Sequence, residues 1–132
     1  MRLWHQTLIP YLDRQRLLGQ HRECAALRGA GWGRKHSTVD YVFTHSPAYL
    51  VAYHYLIMDE MEERGYHPDH TWDNWNYRGK NLEIQDDWTT DEDRMKAIKL
   101  YNTHKIIYPE HNDAYLKECI DILHSKGVDI EL

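Results

Sequence analysis

The sequence predicts an all-α fold: one compact domain spanning residues 1–132, about three to five helices joined by long ordered loops. Three observations predict it. Apolar residues recur at helical spacing in four stretches. Start and stop residues bracket those stretches. The chain's 132 residues, 42% hydrophobic and 28% charged, match one ordinary globular core and not a disordered chain.

The first helix is expected from about Asp13 to Arg28, with Leu17, Leu18, Cys24, Ala25 and Leu27 as its apolar stripe and Gly29, Gly31 and Gly33 ending it. Leu18 and Arg22 lie above one another at i,i+4, and Glu23, about 100° further round, falls between the buried stripe and the polar face. Residues 36–43, HSTVDYVF, read as a short strand or another helical turn. Ser46-Pro47 opens the clearest helix: a capping hydroxyl precedes a proline whose missing N–H costs nothing in the first turn. Leu50, Val51, His54, Ile57, Met58 and Met61 carry it to Gly65, with Tyr66 following. Residues 67–90 have no sustained period and read as an ordered loop. A third helix begins near Thr90, where Asp91, Glu92 and Asp93 suit a positive helix N-terminus. The last starts after Pro109 and runs through Leu116, Cys119, Ile120 and Leu123 to Gly127.

The formal charge of −5 is a poor match for phosphate, but it is unevenly distributed. Residues 1–36 hold seven cations (Arg2, Arg14, Arg16, Arg22, Arg28, Arg34 and Lys35) against Asp13 and Glu23, a local +5, so the remaining 96 residues sum to −10. Such asymmetry can focus positive potential on one face. The two cysteines read as small buried apolar groups, and the N-terminus lacks the apolar run of a signal peptide, so a cytoplasmic location is expected. No stretch approaches the length of a membrane span. Ten histidines raise the question of metal, with His67 and His70 or His45 and His54 as the pairs to consider. No HExxH or paired CxxC motif occurs, and no metal or cofactor is expected. The run Trp72, Trp75, Tyr77, Arg78 and Lys80 suits base stacking, or equally a loop sealed over the core. The run from Gly29 to Lys35, GAGWGRK, lacks P-loop spacing.

The block from Leu8 to Cys24, LIPYLDRQRLLGQHREC, with Thr7, Leu8, Leu12, Gln15, Leu17, Arg22 and Glu23 as matching residues, resembles the pyrimidine-dimer glycosylase (endonuclease V) family. YLIMDEMEERGY, Tyr55 to Tyr66, is similar to that family's middle helix, and Tyr108 to His111 to the opening of its final helix. The resemblance implies a DNA-repair glycosylase with abasic-site lyase activity, acting as a monomer on damaged double-stranded DNA. In that family an N-terminal α-amine attacks the sugar carbon bearing the damaged base and forms an imine; an α-amine, with a pKa of about 7.7–8.0, is partly neutral at pH 7. Here the resemblance implies the amine of Met1 as nucleophile, Glu23 as the carboxylate assisting proton transfer and charge development, and Arg22 gripping a phosphate that flanks the lesion. It implies Arg2, Gln15, Arg16 and Arg28 as DNA contacts, Arg28 standing in for a family arginine whose place is taken by Ala26; Arg34 and Lys35, the cations of the GAGWGRK run, are expected to contact phosphate as well. The alternative is a non-catalytic nucleic-acid-binding or interaction protein on the same scaffold, separable by whether the Met1 amine and Glu23 share an open cleft.

Overall fold

A computed structural model describes residues 1–132. The architecture is helical: α1 (Arg14–Arg28), α2 (Pro47–Glu63), α3 (Asp91–Asn102) and α4 (Asp113–Ser125), with short 3-10 helices at Gln6–Tyr11, Asp40–Thr44 and His70–Asp73. The only β feature is an isolated antiparallel bridge, Tyr77 to Ile84. The stretch left open between strand and helix is therefore a 3-10 turn. The turn at Gln6–Tyr11, containing Pro10, was not foreseen.

The caps explain the helix limits. The Ser46 hydroxyl accepts the Ala48 N–H, the Thr90 hydroxyl that of Asp93, and the Asn112 side chain that of Tyr115. At the end of α2, Gly65 takes a left-handed φ of 85° while the Tyr66 N–H returns to the Met61 carbonyl. Gly31 is required by close approach, since a Cβ there would lie 2.7 Å from the Ala26 carbonyl oxygen.

Helix α2 is the central element. Its buried residues include Ala48, Leu50, Val51, Ala52, Tyr53, His54, Ile57, Met58 and Met61, too many for one stripe, so it must be packed on several sides. It packs on α1, α3 and the first two 3-10 turns. A cluster of 21 buried residues runs from Leu3 to Ile130 and includes both unpaired cysteines, so the chain's two ends close over the same core. No helix is long and apolar enough to cross a membrane.

Helix α1 departs from the expected stripe. Its buried residues are Leu17, Gln20, Cys24, Leu27 and Arg28, whereas Leu18 and Ala25 are half-buried. Two polar side chains thus occupy core positions, and each must find internal partners. Arg28 finds them in the 72–78 loop: its guanidinium donates to the carbonyls of Trp72 (3.0 Å), Asn74 (2.8 Å) and Tyr77 (3.1 Å) and lies 4.9 Å from the Trp72 ring centre. Arg78 answers from the loop, donating to the Arg28 and Gly29 carbonyls at 2.8 and 3.1 Å while lying over Trp88. The aromatic and cationic loop is therefore stitched to the end of α1, the sealing arrangement and not a free stacking platform.

Arg28 also sets the state of a histidine pair, buried His54 and half-buried His21. An arginine nitrogen only donates, so His54 Nδ1, 3.0 Å away, must accept; the His54 proton then sits on Nε2 and is given to His21 Nδ1 at 2.7 Å. On the other side of the core, His111 accepts the Gln6 N–H at Nδ1 and bonds the Tyr41 hydroxyl at Nε2. Burial, with nearby His5 adding to it, pushes His111 down from an ordinary value of 6.5 to about 3, and burial also lowers His54. Unfolded histidine takes a proton below about pH 6.5, while the folded residue stays neutral until far lower. The stability that neutral His111 supplies is therefore complete above about pH 6.5 and is lost as pH falls toward 3. Thermal melts between pH 7 and pH 4 are expected to show destabilisation of about 1.4 kcal/mol per pH unit from such a group. His111→Gln is expected to flatten that slope.

Candidate active site

The first four residues run extended over α1 and are held almost atom by atom. The Arg2 N–H donates to Glu23 Oε2 (3.3 Å), and the Arg2 carbonyl accepts from Gln20 Nε2 (2.8 Å). The Leu3 carbonyl accepts from the Tyr115 hydroxyl of α4, and the Trp4 N–H donates to Gln20 Oε1 at 2.7 Å. The Met1 carbonyl accepts from the Thr38 hydroxyl. An extended segment without a neighbouring strand needs such partners, since its polar backbone would otherwise be buried unpaired.

This anchoring brings the chain terminus to Glu23. Met1, Arg2, Trp4, Glu23, Thr38, Ile122 and Lys126 line one open cavity of about 350 Å³, within the size range of small-ligand sites. Met1 is 45% exposed. Burial pushes the Glu23 carboxyl above its ordinary range; the Arg2 N–H, the positive amino terminus and the Gln20 amide pull it back. Glu23 thus presents a half-buried carboxylate to the cavity that Met1 also lines.

The remaining expected residues separate into three groups. Arg22, Gln15, Arg34 and Lys35 are exposed and make no ion pair, which leaves them available to a polyanion. Arg16 is tied to Asp13 at 3.2 Å, and Arg2 folds back onto Glu118 of α4 at 2.9 Å between the Trp4 and Tyr115 rings. Both reach phosphate only by leaving these partners. Arg28 is a correction: it is fully buried, committed to loop carbonyls and His54, and cannot touch DNA in this fold. Of the histidines considered as metal pairs, His45 bonds Glu110, His54 bonds His21, and His70 pairs with Asp73 and Glu62, while His67 is exposed.

Sequence reasoning missed Gln20, Thr38 and Lys126. Gln20 carried a usable signal, because it lies three residues from both Leu17 and Glu23 on the side of α1 that also carries Cys24 and Leu27. Lys126 carried none; it follows α4, about a hundred residues from Glu23, and only the tertiary fold places it in the cavity.

These features define an enzyme-like site, a chain terminus and a half-buried carboxylate in one cleft of a small helical protein. The family model for pyrimidine dimer DNA glycosylase matches residues 1–74, from Met1 through α1 and α2, and the chain belongs to that family. Comparisons with curated proteins and with solved structures returned no match. Membership makes it a DNA glycosylase by family, with DNA as its class of substrate. The residues beyond 74 contribute Tyr115, Glu118, Ile122 and Lys126 to the cavity or to the terminal segment.

Proposed function

We propose that the chain excises a damaged base and cleaves the strand at the resulting site, using the Met1 α-amine as nucleophile. The amine's lone pair forms a bond to the sugar C1′ as the C1′–N bond to the base breaks; the base nitrogen takes up a proton, and in a dimer the base stays joined to its neighbour through the cyclobutane ring. Ring opening gives an imine, loss of a C2′ proton follows, and β-elimination expels the 3′ phosphate. Glu23 balances the positive charge that develops at C1′ and carries protons during ring opening and elimination. Arg22, exposed one residue away, takes a flanking phosphate, and Arg34 and Lys35 extend the contact along the backbone. Lys126 offers a further cation at the cavity wall. The observation that carries this reading is the shared cavity, lined by Met1 of the anchored terminal segment and by Glu23 of α1.

The target carbon lies inside a duplex, so the damaged nucleotide or its partner must be moved out of the stack before the amine can reach it. The test uses a duplex carrying one cyclobutane pyrimidine dimer, incubated with the protein in chelator. Nicking at the dimer with a β-elimination end is the expected product. Tight binding without base loss or nicking contradicts the enzyme reading and favours a binding protein.

A further inference from the structure

We propose that Gln20 is a positioning residue whose buried amide fixes the Met1 α-amine relative to the Glu23 carboxylate, an inference that rests on the roles given to Met1 and Glu23 above. Gln20 is 1% exposed and sits one turn before Glu23 on α1. Its Oε1 accepts the Trp4 N–H at 2.7 Å; its Nε2 donates to the Arg2 carbonyl at 2.8 Å and to Glu23 Oε2 at 3.0 Å. The Tyr53 hydroxyl of α2 lies 2.6 Å from the Trp4 carbonyl and 3.0 Å from Gln20 Oε1, sharing its one proton between them. One side chain thus pairs with the terminal segment on both sides of Leu3, as a neighbouring strand would, and reaches the carboxylate as well.

The orientation of the amide is set by this network. Turning it over would place the NH2 group against the Trp4 N–H and the oxygen against the Arg2 carbonyl and the Glu23 carboxylate, three repulsive contacts in place of three bonds. With Arg2 pinned at both its N–H and its carbonyl, and the Met1 carbonyl held by Thr38, only rotations within Met1 separate the anchored chain from the amine. The two ends of the amide have separable effects. Oε1 holds the segment down, and Nε2 both holds it and supports the ionised form of Glu23.

Two substitutions divide those effects. Gln20→Met keeps the volume and removes every bond; Gln20→Glu keeps the acceptor for Trp4 and replaces the donor to Glu23 with a second carboxylate. NMR reads the exchange of the Trp4 amide and the titration of the Glu23 carboxyl, with α2 amides reporting that the fold is intact. In Gln20→Met the Trp4 amide is expected to exchange about 10-fold faster or more, with α2 unchanged. Gln20→Glu is expected to keep Trp4 protected while Glu23 titrates at higher pH; because it retains the acceptor bonds, it carries the test if Gln20→Met does not fold. On abasic duplex, borohydride trapping is expected to slow about 10- to 100-fold in both, with affinity for the duplex retained and the acid limb moved up in pH. Unchanged Trp4 exchange and Glu23 titration in both variants overturn the proposal, as do unchanged trapping rates and pH profile where the wild type traps. Wild-type protein that passes the NMR arm yet traps no DNA keeps the positioning role and overturns the lyase reading instead.

Discussion

Glu23→Gln is expected to lower strand cleavage at a pyrimidine dimer by about 10²- to 10⁴-fold in single turnover, the range ascribed to a positioned acid–base group. The substitution is nearly isosteric and leaves an oxygen to accept the Arg2 N–H, so the terminal segment has its partner and the fold has no reason to fail. What it removes is the negative charge. A neutral amide cannot balance positive charge at C1′ or take a proton from the sugar, so the loss falls on the chemical step. Duplex affinity should hold or tighten, because a carboxylate facing a phosphate-rich ligand is repulsive. In the wild-type enzyme the contribution of Glu23 to the acid side of the rate profile should lie above the ordinary carboxyl range, since burial raises Glu23, and in Glu23→Gln that contribution should be absent. Cleavage within about threefold of wild type would remove Glu23 from the chemistry.

Arg28→Met is expected to destabilise the fold by about 3–5 kcal/mol, a large part of the total of about 5–15 kcal/mol typical of domains. Arg28 has no buried carboxylate beside it; its charge is balanced by three loop carbonyls and shared with His54, and burial lowers its pKa to about 10. Methionine fills much of the space but leaves those carbonyls without their donor, at about 1–3 kcal/mol for a group left fully unsatisfied. It also frees His54 Nδ1, so the tautomer that donates to His21 is no longer imposed. A fall in melting temperature on the order of 10–20 °C should result, measured by circular dichroism at pH 7.5. A fall below about 3 °C would show that Arg28 does not hold the 72–78 loop.

The helices were legible because each carries its own chemical limits. Ser46-Pro47, Thr90 and the closing Gly65 and Gly127 act within one turn of their own positions, so local sequence suffices to find them. Arg28 was misread for the opposite reason: an arginine at a helix end ordinarily faces water, and the carbonyls that bury it come from residues 44 to 49 positions later. The core of α1 was read too apolar on the same ground, because Gln20 is admitted there only by partners on Arg2, Trp4 and Tyr53. In the candidate site, Met1 and Glu23 were legible through the family motif, and the anchoring bonds that bring them to one cavity were not. Such bonds join residues about 16 to 112 positions apart, and no periodicity encodes them.

Whether the terminal amine is the nucleophile is decided by borohydride trapping on a duplex with one abasic site, followed by peptide mapping of the adduct. A covalent adduct is expected on the Met1 amine, abolished by acetylating that amine and unaffected by Lys126→Ala. An adduct mapped to Lys126, or one that survives acetylation of the terminus, would contradict that role.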